Sequence, residues 1–531
     1  MFERLKQVTK NGVNRVAETL DTFRKDIFDL EGVPAYREFY TLYIFPWKYV
    51  YRGYYAAWHN VPLVTIDKPK GQSRRLMTLN AGKMAAAQLA RYEWNEKCKI
   101  LVNTENSADP ENDPLNRFIH AVLKENSFDT AFGEVIEKCN SLGGTAIKEW
   151  AEVPKDADGN DAGPARIRLS FHMADQFIPT RWNNHQVKEG LFLSREAKDG
   201  YYYSTVEWHR WEGATYRVTN EVYRMPISKA PAEPQNILGW WYPLNMVYPL
   251  LSPSTEFHDL GRSMFQYIRP FGANYADDNS PLGMSVYSTA MDTLHSLDIA
   301  FDSFNREFVL GKKRIIVPAR AIRNVVDPTN GRNIRYFDAN DEVYEALATD
   351  DTGDLQIHDN TVELRVDEHV AAINALLSIL CAQTGMDPGI LSFDKTTGLK
   401  TATEVISQNS KTFSTVKAHE NSLRSAIEDM IDSIITLAVY YDVEFEGQKI
   451  ATLAAGGYQK SVTFDDSIIE DRTADINEGI LLVSNALMSK MTFMMERLGY
   501  TADRAKLEIQ RIQDESKVGP EVIDRLDDFG A

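Results

Sequence analysis

The pattern of apolar and polar positions is clearest between residues 285 and 310, where the chain contains neither proline nor glycine. Apolar residues recur there at steps of three or four, or their sum, which places them on one face of a helix of roughly 26 residues and about 39 Å. They are Tyr287, Met291, Leu294, Phe301, Phe304 and Phe308. Gly311 follows and is predicted to end the helix, because glycine is common just beyond a helix C-terminus.

A second helix is predicted to begin near Asp367 and to return along the first as far as Gly385. Its apolar face carries Val370, Ile373, Leu377 and Leu380. Between the helices, short β-branched or aromatic runs separated by turn residues predict strands at 314–318, 335–338, 342–347 and 362–365. Two helices joined at their far end by a small β-rich lobe form a projecting arm. A single copy would leave the apolar faces of this arm half exposed, so we infer neighbours that cover them.

The rest of the chain contains separate blocks of helices and strands, so the predicted fold class is α+β and mainly helical. Residues 165–225 predict an antiparallel sheet, because apolar and polar residues alternate and Asn183-Asn184, Asp199-Gly200 and Glu212-Gly213 stand at the turns. Residues 226–260 are proline-rich and are expected to be irregular. Helices are predicted at 1–32, 74–95, 115–123, 128–142, 401–441, 473–498 and 501–515, and single strands at 145–151 and 458–464.

A dense aromatic stretch lies between residues 36 and 58, interleaved with Arg37, Lys48 and Arg52. It could offer a stacking surface for nucleic acid. We favour a packing or subunit-contact surface, because aromatic side chains contribute large buried areas.

Composition narrows the class of protein. The chain has 531 residues, 43% of them apolar and 25% charged, which is typical of a globular protein with several domains. Its 58 basic and 76 acidic residues give a net charge of −18, which argues against a protein that grips nucleic acid over its whole surface. A wall along which DNA slides remains compatible with this charge, because acidic groups repel phosphates. Simple solubility explains the charge equally well.

Cysteine usage and hydropathy indicate the compartment. Cys98, Cys139 and Cys381 are the only cysteines, an odd number without a CxxC pair, so free thiols are expected. No run approaches the roughly 18 apolar residues of a membrane span, and the N-terminus has no apolar signal core. We expect a protein that is made and kept inside a cell, or packed into something assembled there.

Motifs for covalent chemistry are absent. The sequence has no GxxxxGK[ST] phosphate loop, no HExxH, no GxSxG and no Cys/His metal spacing. Asp298 and Asp302 are spaced to share one side of the first long helix. A catalytic pair is one interpretation, but a salt bridge to a neighbouring subunit is favoured, because a buried carboxylate must be paired. No enzymatic activity, cofactor or metal is predicted.

One acid-rich run could also be considered as a metal site. It comprises Asp465, Asp466, Glu470, Asp471 and Asp475. A solvated or subunit-facing charge run is the favoured interpretation.

Four segments in a fixed order carry a resemblance to a known family. They are "SPLGMSVYSTAMDTLHSLDIAFDSFNREFVLGKKRIIVP", "RYFDANDEVYEAL", "VELRVDEHVAAINALLSILCAQTGMDPGILSFD" and "GLKTATEVISQNSKTF". On these segments the chain resembles the portal proteins of tailed double-stranded DNA bacteriophages, specifically those of long-tailed phages of Gram-positive hosts. The similarity extends upstream through "TLNAGKMAAAQLARYEWNEKCKI", "FIPTRWNN" and "EWHRW", so it covers most of the chain.

The resemblance implies a portal fold with named regions and a ring oligomer. It assigns residues 1–280 to the wing, 281–311 to the first stem helix, 312–365 to the clip, 366–385 to the second stem helix, 386–400 to a channel loop, 401–472 to a long wing helix and strand, and 473–531 to the crown.

The resemblance also implies a function without covalent chemistry. Twelve copies would form a ring at one capsid vertex, around a channel for DNA packaging, retention and ejection. The implied partners are double-stranded DNA, the large terminase, head-tail adaptor and connector proteins, and the major capsid and scaffolding proteins. The implied location is the virion, with assembly in the host cytoplasm. The alternatives are a metal-dependent nuclease and another virion structural subunit.

Candidate site residues follow from the same resemblance. The channel loop would present Lys395, Thr396 and Lys400, whose lysines are either phosphate contacts or solvated surface residues. The stem would make inter-subunit contacts, and the clip would dock partner proteins. The stem residues are Asp298, Phe301, Asp302 and Phe304, and the clip residues are Lys312, Lys313, Arg332 and Arg335.

Overall fold

The structure is a computed structural model, and the account below concerns the residues that it describes. These are 25–62, 73–105, 107, 109–154, 163–230, 236–311, 314–316, 323–326, 333–336, 358–360, 363–392, 410–465, 472–485, 487–497, 500 and 502–517. Its helices are α1 (Arg37–Phe39), α2 (Phe45–Tyr51), α3 (Ala56–His59), α4 (Ala81–Glu93), α5 (Pro114–Glu125), α6 (Phe128–Leu142), α7 (Met291–Leu310), α8 (Val366–Gln383), α9 (Ser410–Tyr440), α10 (Ile450–Ala454), α11 (Arg472–Ser484), α12 (Lys490–Glu496) and α13 (Ala502–Lys517).

The strands are short at both ends of the chain and long in its middle. They are β1 (Lys25–Asp26), β2 (Asn60–Pro62), β3 (Ser73–Arg75), β4 (Lys99–Thr104), β5 (Thr145–Glu152), β6 (Arg166–Met173), β7 (Phe177–Asn183), β8 (Gln186–Lys198), β9 (Tyr201–Glu212), β10 (Thr215–Pro226), β11 (Ile237–Tyr242), β12 (Ser254–His258), β13 (Phe265–Ile268), β14 (Arg314–Ile316), β15 (Arg323–Val326), β16 (Asn333–Tyr336), β17 (His358–Asn360), β18 (Glu444–Phe445), β19 (Gln448–Lys449) and β20 (Tyr458–Thr463).

The largest sheet is an antiparallel meander in the middle of the chain. Its order is β1-β11-β10-β9-β8-β7, and β12 pairs with β10. Asn184, Asp199 and Gly213 lie at its turns with positive φ, a conformation that Asn, Asp and Gly tolerate better than other residues. The antiparallel strands predicted within 165–225 are therefore present.

Two details of that prediction need correction. β6 joins a separate sheet, of order β13-β5-β6. Residues 226–260 are not wholly irregular, because β11 and β12 both pair with β10. The prolines of this segment fall outside these two strands, so they do not remove hydrogen bonds from the ladders.

One hydrophobic core lies between the large sheet, the N-terminal helices and the bases of α7 and α8. Tyr36, Phe39, Tyr40 and Trp47 are buried in it. The Tyr40 hydroxyl donates to the Phe177 carbonyl at 2.7 Å. The packing interpretation of the aromatic stretch is therefore confirmed for these four residues.

A second core joins α5, α6 and α9 to the three-stranded sheet. A buried polar cluster links three helices beside it. His419 Nδ1 of α9 lies 2.5 Å from Glu93 Oε1 of α4, and Asn140 Nδ2 of α6 donates to Glu93 Oε2 at 2.9 Å. These hydrogen bonds hold the long helix α9 against α4 and α6.

Glu149 of β5 carries a carboxyl group that is buried in the protein interior. Its side chain is buried, and neither carboxyl oxygen has a hydrogen-bond partner. Burial raises the pKa of this carboxyl well above its ordinary value, although Arg262 opposes the shift. The folded protein therefore holds a proton on Glu149 that the unfolded chain releases above pH 4.5.

We expect Glu149→Gln to stabilise the protein at neutral and alkaline pH. Because the pKa of Glu149 is raised in the folded protein, its contribution to the stability of the wild type is fully present below the pKa of the unfolded chain. That contribution is lost as pH rises. The stability gap between variant and wild type should widen by up to about 1.4 kcal/mol per pH unit in that window. Urea unfolding between pH 5 and pH 8 checks this, with Glu38→Gln, at an exposed position, as the control without such a slope.

Several helix boundaries differ from those predicted. α7 begins at Met291 rather than at residue 285, because the preceding backbone is tied to the end of α6: the Val286 N–H donates to the Asn140 carbonyl at 2.9 Å. α4 begins at Ala81 rather than at 74, where residues 73–75 form β3 instead. The helix predicted at 473–498 is divided into α11 and α12. Ser489 starts the second piece by accepting a hydrogen bond from the Thr492 N–H.

The lobe between α7 and α8 contains two described strand pairs, β14 with β17 and β15 with β16. The strands predicted at 314–318 and 335–338 overlap β14 and β16. The strand predicted at 342–347 lies outside the described residues. Residues 363–365 are not a strand but lead directly into α8.

Candidate functional site: a two-helix arm and its root

The arm consists of α7 and α8, which lie side by side. Glu307 near the end of α7 contacts Arg365 at the start of α8, so the two helices run antiparallel. Five apolar residues are buried in the half of the arm nearest the first core. They are Leu294 and Leu297 of α7 and Ile373, Leu377 and Leu380 of α8.

The far half of the arm leaves large apolar side chains uncovered. Phe308, Val309 and Leu310 are 43%, 61% and 52% exposed. Ile379 of α8, which is 49% exposed, lies in the half nearer the first core. Clustered exposure of this kind marks a contact surface more often than scattered apolar residues do. These exposed side chains are consistent with the expectation that neighbouring copies cover the arm.

Asp298 fixes the root of α7 to the chain segment around α3. Its Oδ1 accepts hydrogen bonds from the Thr78 hydroxyl at 2.8 Å and the Leu79 N–H at 2.9 Å. Its Oδ2 lies 3.0 Å from His59 Nε2. The Tyr55 N–H donates to His59 Nδ1 at 2.7 Å, which leaves the other ring nitrogen to carry the proton toward Asp298.

Asp302, one turn further along α7, is held by an arginine fork. The two terminal nitrogens of Arg74 donate to its two oxygens at 2.9 and 2.8 Å, and the Met77 N–H donates at 3.1 Å. Burial alone would raise the pKa of Asp302, but Arg74 and the Met77 N–H hold it below its ordinary value. Two-point pairing also fixes the rotation of α7 relative to β3.

The sequence predicted that Asp298 and Asp302 pair with a neighbouring subunit. Both carboxylates are buried, and they have partners on the same chain, so a neighbour is not needed to pair them. The inter-subunit role of these two residues stays a prediction. Their shared side of α7 faces the β2–β3 hairpin region rather than the exposed surface. The physical premise of the prediction, that a buried carboxylate must be paired, still applies.

The far end of the arm is closed by a second arginine pair. Arg365 Nε and Nη2 donate to the two oxygens of Glu307 at 3.1 and 3.0 Å. This pairing lowers the pKa of Glu307. His369 Nε2 lies 3.8 Å from the same carboxylate. The pair ties the last turn of α7 to the first turn of α8.

The end of α8 and the start of α9 are joined by a short set of hydrogen bonds that we call the neck. The Thr412 hydroxyl accepts from the Asp387 N–H at 2.8 Å and donates to Asp387 Oδ2 at 2.9 Å, while the Thr412 N–H donates to Oδ2 at 2.8 Å. The Thr415 hydroxyl donates to the Gly385 carbonyl at 2.8 Å. The neck therefore holds the end of α8 and the start of α9 together.

Of the other predicted site residues, three lie in the described part of the chain and six lie outside it. Phe301 and Phe304 are half-buried, and Phe304 contacts the rings of Phe308 and His369 within the arm. Arg335 lies in β16 opposite Asn324. The inter-subunit role of Phe301 and Phe304 and the docking role of Arg335 stay predictions. Six candidates lie outside the described residues: Lys312, Lys313, Arg332, Lys395, Thr396 and Lys400.

The described part of the chain has neither a metal-binding cluster nor a membrane-spanning helix. No group of three or more His, Cys, Asp and Glu side chains there could hold a metal ion. No helix there is long and apolar enough to cross a membrane. Of the acid-rich run, only Asp465 and Asp475 are among the described residues, and Asp465 pairs with Lys97 at 3.3 Å.

Sequence reasoning missed the partners of the arm. Arg74 and His59 are more than 200 positions from Asp302 and Asp298 along the chain, and nothing local to them signals the pairing. The neck offered a weak signal, because Gly385, Asp387 and Thr412 are all residue types that cap or terminate helices. The spacing of the two aspartates indicated a shared face but not what that face contacts.

Comparison with known proteins gives one family match. A family model described as "Phage portal protein, SPP1 Gp6-like" matches residues 43–518. The matched range contains the arm, its root, the neck, the second hydrophobic core and most of the first. No curated protein matches the chain at a significant level.

Proposed function

Because the chain belongs to the SPP1 Gp6-like family of phage portal proteins, we propose that twelve copies form a ring at one vertex of the capsid. The ring surrounds a channel through which double-stranded DNA is packaged, held and later ejected. The ring also docks the large terminase and then the head-tail connector proteins. Its rim meets the major capsid and scaffolding proteins during assembly in the host cytoplasm.

The observation that carries the ring proposal is the arm. Its far half exposes Phe308, Val309 and Leu310, and Ile299 and Ile379 in the half nearer the first core are also about half exposed. Packing arms side by side around an axis would cover these side chains. A ring needs such head-to-tail contacts between unlike faces, which close on themselves at a fixed copy number.

The division of labour within the chain follows from the proposal. The arm forms the stem, and the lobe of residues 312–365 forms the clip that meets partner proteins. Residues 386–400 form the channel loop, which the neck anchors at the end of the stem. Residues 1–280 and 401–472 form the wing and residues 473–531 the crown. The function depends on geometry, charge and exchange of partners, and no covalent step is assigned to the chain.

The proposal is tested by the mass and symmetry of the purified protein. Native mass spectrometry and two-dimensional averages of negatively stained particles should show a closed ring of about twelve copies with a central hole. A strict monomer over a range of concentrations and salts, also in the presence of scaffolding protein, would contradict it. A monomer with metal-dependent nuclease activity would favour the enzyme alternative.

The channel loop gives a second prediction. We expect Lys395→Ala with Lys400→Ala to leave the ring intact but to change packaging yield or DNA retention, because two positive charges that meet passing phosphates are removed. The matched control is Lys198→Ala with Lys229→Ala, two exposed lysines of the middle sheet region. Packaging unchanged in the loop variant would remove the proposed phosphate contact.

A further inference from the structure

A cleft of about 650 Å³ lies beside α9, between the β7–β8 turn and the segment that leads into β13. Its lining includes Lys188, Arg262, Arg269, Ser422, Ser425 and Asp429. Two arginines, a lysine and several hydroxyl groups thus line one opening, with Asp429 as the carboxylate among the lining residues. This is an unusual concentration of positive charge for a chain whose net charge is −18.

Most of that positive charge is not neutralised locally. Arg262 is bound to Asp432 at 2.8 Å. Neither Lys188 nor Arg269 has an ion-pair partner within the part of the chain that the structure describes. Lys188 is exposed and Arg269 half-buried, so both are available to a ligand. A cleft of this kind favours an anionic occupant.

The ring proposed above restricts what that occupant is. Each copy in a ring must present two different, complementary faces to its neighbours. Copies that each carry −18 repel one another unless opposite charges meet at the contact. The basic cleft therefore calls for an acidic partner surface on the same chain, displayed on another side.

An acid-rich run that follows β20 in the sequence carries the required negative charge. Asp466, Glu470 and Asp471 lie between the end of β20 and α11. β20 contacts α9 through the Arg424 guanidinium, which donates to the Val462 carbonyl at 2.7 Å, and through Lys460 Nζ, which donates to the Glu428 carbonyl at 3.0 Å.

The cleft uses a different side of the same helix. Ser422, Ser425 and Asp429 line it, and at 3.6 residues per turn they point roughly a third of the helix circumference away from the side that β20 occupies. The end of β20, from which the acidic run continues in the sequence, therefore lies outside the cleft.

We propose that the cleft binds the acidic segment 466–471 of the neighbouring copy in the ring. This rests on the proposed function, because it names one contact by which that ring closes. Lys188 and Arg269 supply the charge, and the Ser425 hydroxyl of α9 offers a hydrogen bond to a carboxylate oxygen. The contact weakens with added salt, as partly exposed ion pairs do.

A charge-reversal exchange tests the contact. The cleft variant carries Lys188→Glu and Arg269→Glu, and the segment variant carries Asp466→Lys and Glu470→Lys. Each should raise the protein concentration at which half of the rings dissociate by at least tenfold, and the chain with all four substitutions should recover most of that loss. The control, Lys198→Glu with Lys229→Glu, should leave this concentration within about twofold of wild type. Equal loss in the control, or no recovery in the fourfold variant, would overturn the proposal.

Disulfide trapping identifies the source of the segment. In a Cys98→Ser background, Lys188→Cys with Asp471→Cys should give a ladder of covalent oligomers after mild oxidation. A disulfide within one monomer would mean that the segment binds the cleft of its own chain. Intact rings without any disulfide would mean that the ring uses a different contact. Either result overturns the proposal but leaves the proposed ring unaffected. Protection of the introduced cysteines by a DNA oligonucleotide but not by ring formation would assign the cleft to nucleic acid instead. Absence of rings in the unmodified protein would instead refute the proposed function.

Discussion

Replacing Arg74 with methionine is expected to lower the free energy of unfolding by about 2–3 kcal/mol. The substitution leaves Asp302 buried with only the Met77 N–H as a described donor. Removing one partner of a buried ion pair commonly costs 3–5 kcal/mol. We expect less here, because the Arg74 side chain is 29% exposed and solvent already screens the pair.

Two measurements check this prediction. Urea unfolding at one fixed protein concentration reports the global loss, since oligomer formation would otherwise shift the midpoint. Hydrogen exchange at the Met77 amide reports the root itself, and exchange there should accelerate more than in the second core. Arg91→Met, at an exposed position of α4, is the control and should change stability by less than about 0.5 kcal/mol. Equal effects of the two substitutions would contradict a specific role for the Arg74 fork.

The pH dependence of this effect has a definite sign. The pKa of Asp302 is lowered in the folded protein from its ordinary value of 3.8. A depressed carboxyl pKa contributes stability that is present above the unfolded pKa and is lost as pH falls through the folded pKa. The difference between wild type and Arg74→Met should therefore be constant near neutral pH and should shrink below about pH 4.

The sequence predicts the arm well because its signal is local. An uninterrupted helical period and a terminating glycine are sufficient to place most of α7 and α8. The first turn of α7 was predicted wrongly, because the hydrogen bond from Val286 to Asn140 depends on a helix far away in the chain. Similarly, β11 and β12 were missed, because their pairing with β10 outweighs the local proline content.

The candidate site shows the same limit more sharply. Asp298 and Asp302 could be identified as a buried pair from their spacing and the apolar stripe around them. Their partners, His59 and Arg74, could not be identified. The need to pair a buried carboxylate predicts only that a cation or a hydrogen-bond donor lies nearby. Sequence favoured a second subunit as the source, whereas the fold brings the β2–β3 region against α7 and meets the requirement within one chain.

The root and the neck together restrain the arm at separate points. The root fixes α7 to the region of α3 and β3, and the neck fixes the end of α8 to the start of α9. α9 is in turn held against α4 and α6 by His419, Glu93 and Asn140. A displacement of the arm can therefore reach α4 and α6 through identified hydrogen bonds as well as through the apolar packing of the first core. Each of these hydrogen bonds is open to mutational test.

Replacing Thr412 with valine is expected to cost about 2–3 kcal/mol and to loosen the neck without altering its shape. Valine keeps the branched volume of threonine but removes the hydroxyl, so the Asp387 N–H loses its acceptor and the Asp387 carboxylate loses a donor. Both groups are buried, and a buried polar group left unsatisfied costs about 1–3 kcal/mol. Hydrogen exchange at the Asp387 and Thr412 amides should accelerate, and packaging should fall if a firm anchor for residues 393–409 is needed.

Thr436→Val is the matched control, because it makes the same change on the same helix. The Thr436 hydroxyl donates only to the Asp432 carbonyl one turn back, so this substitution should cost less than about 1 kcal/mol. If the two variants behave alike, the neck is an ordinary helix start and the coupling of α8 to α9 must lie in their apolar contacts.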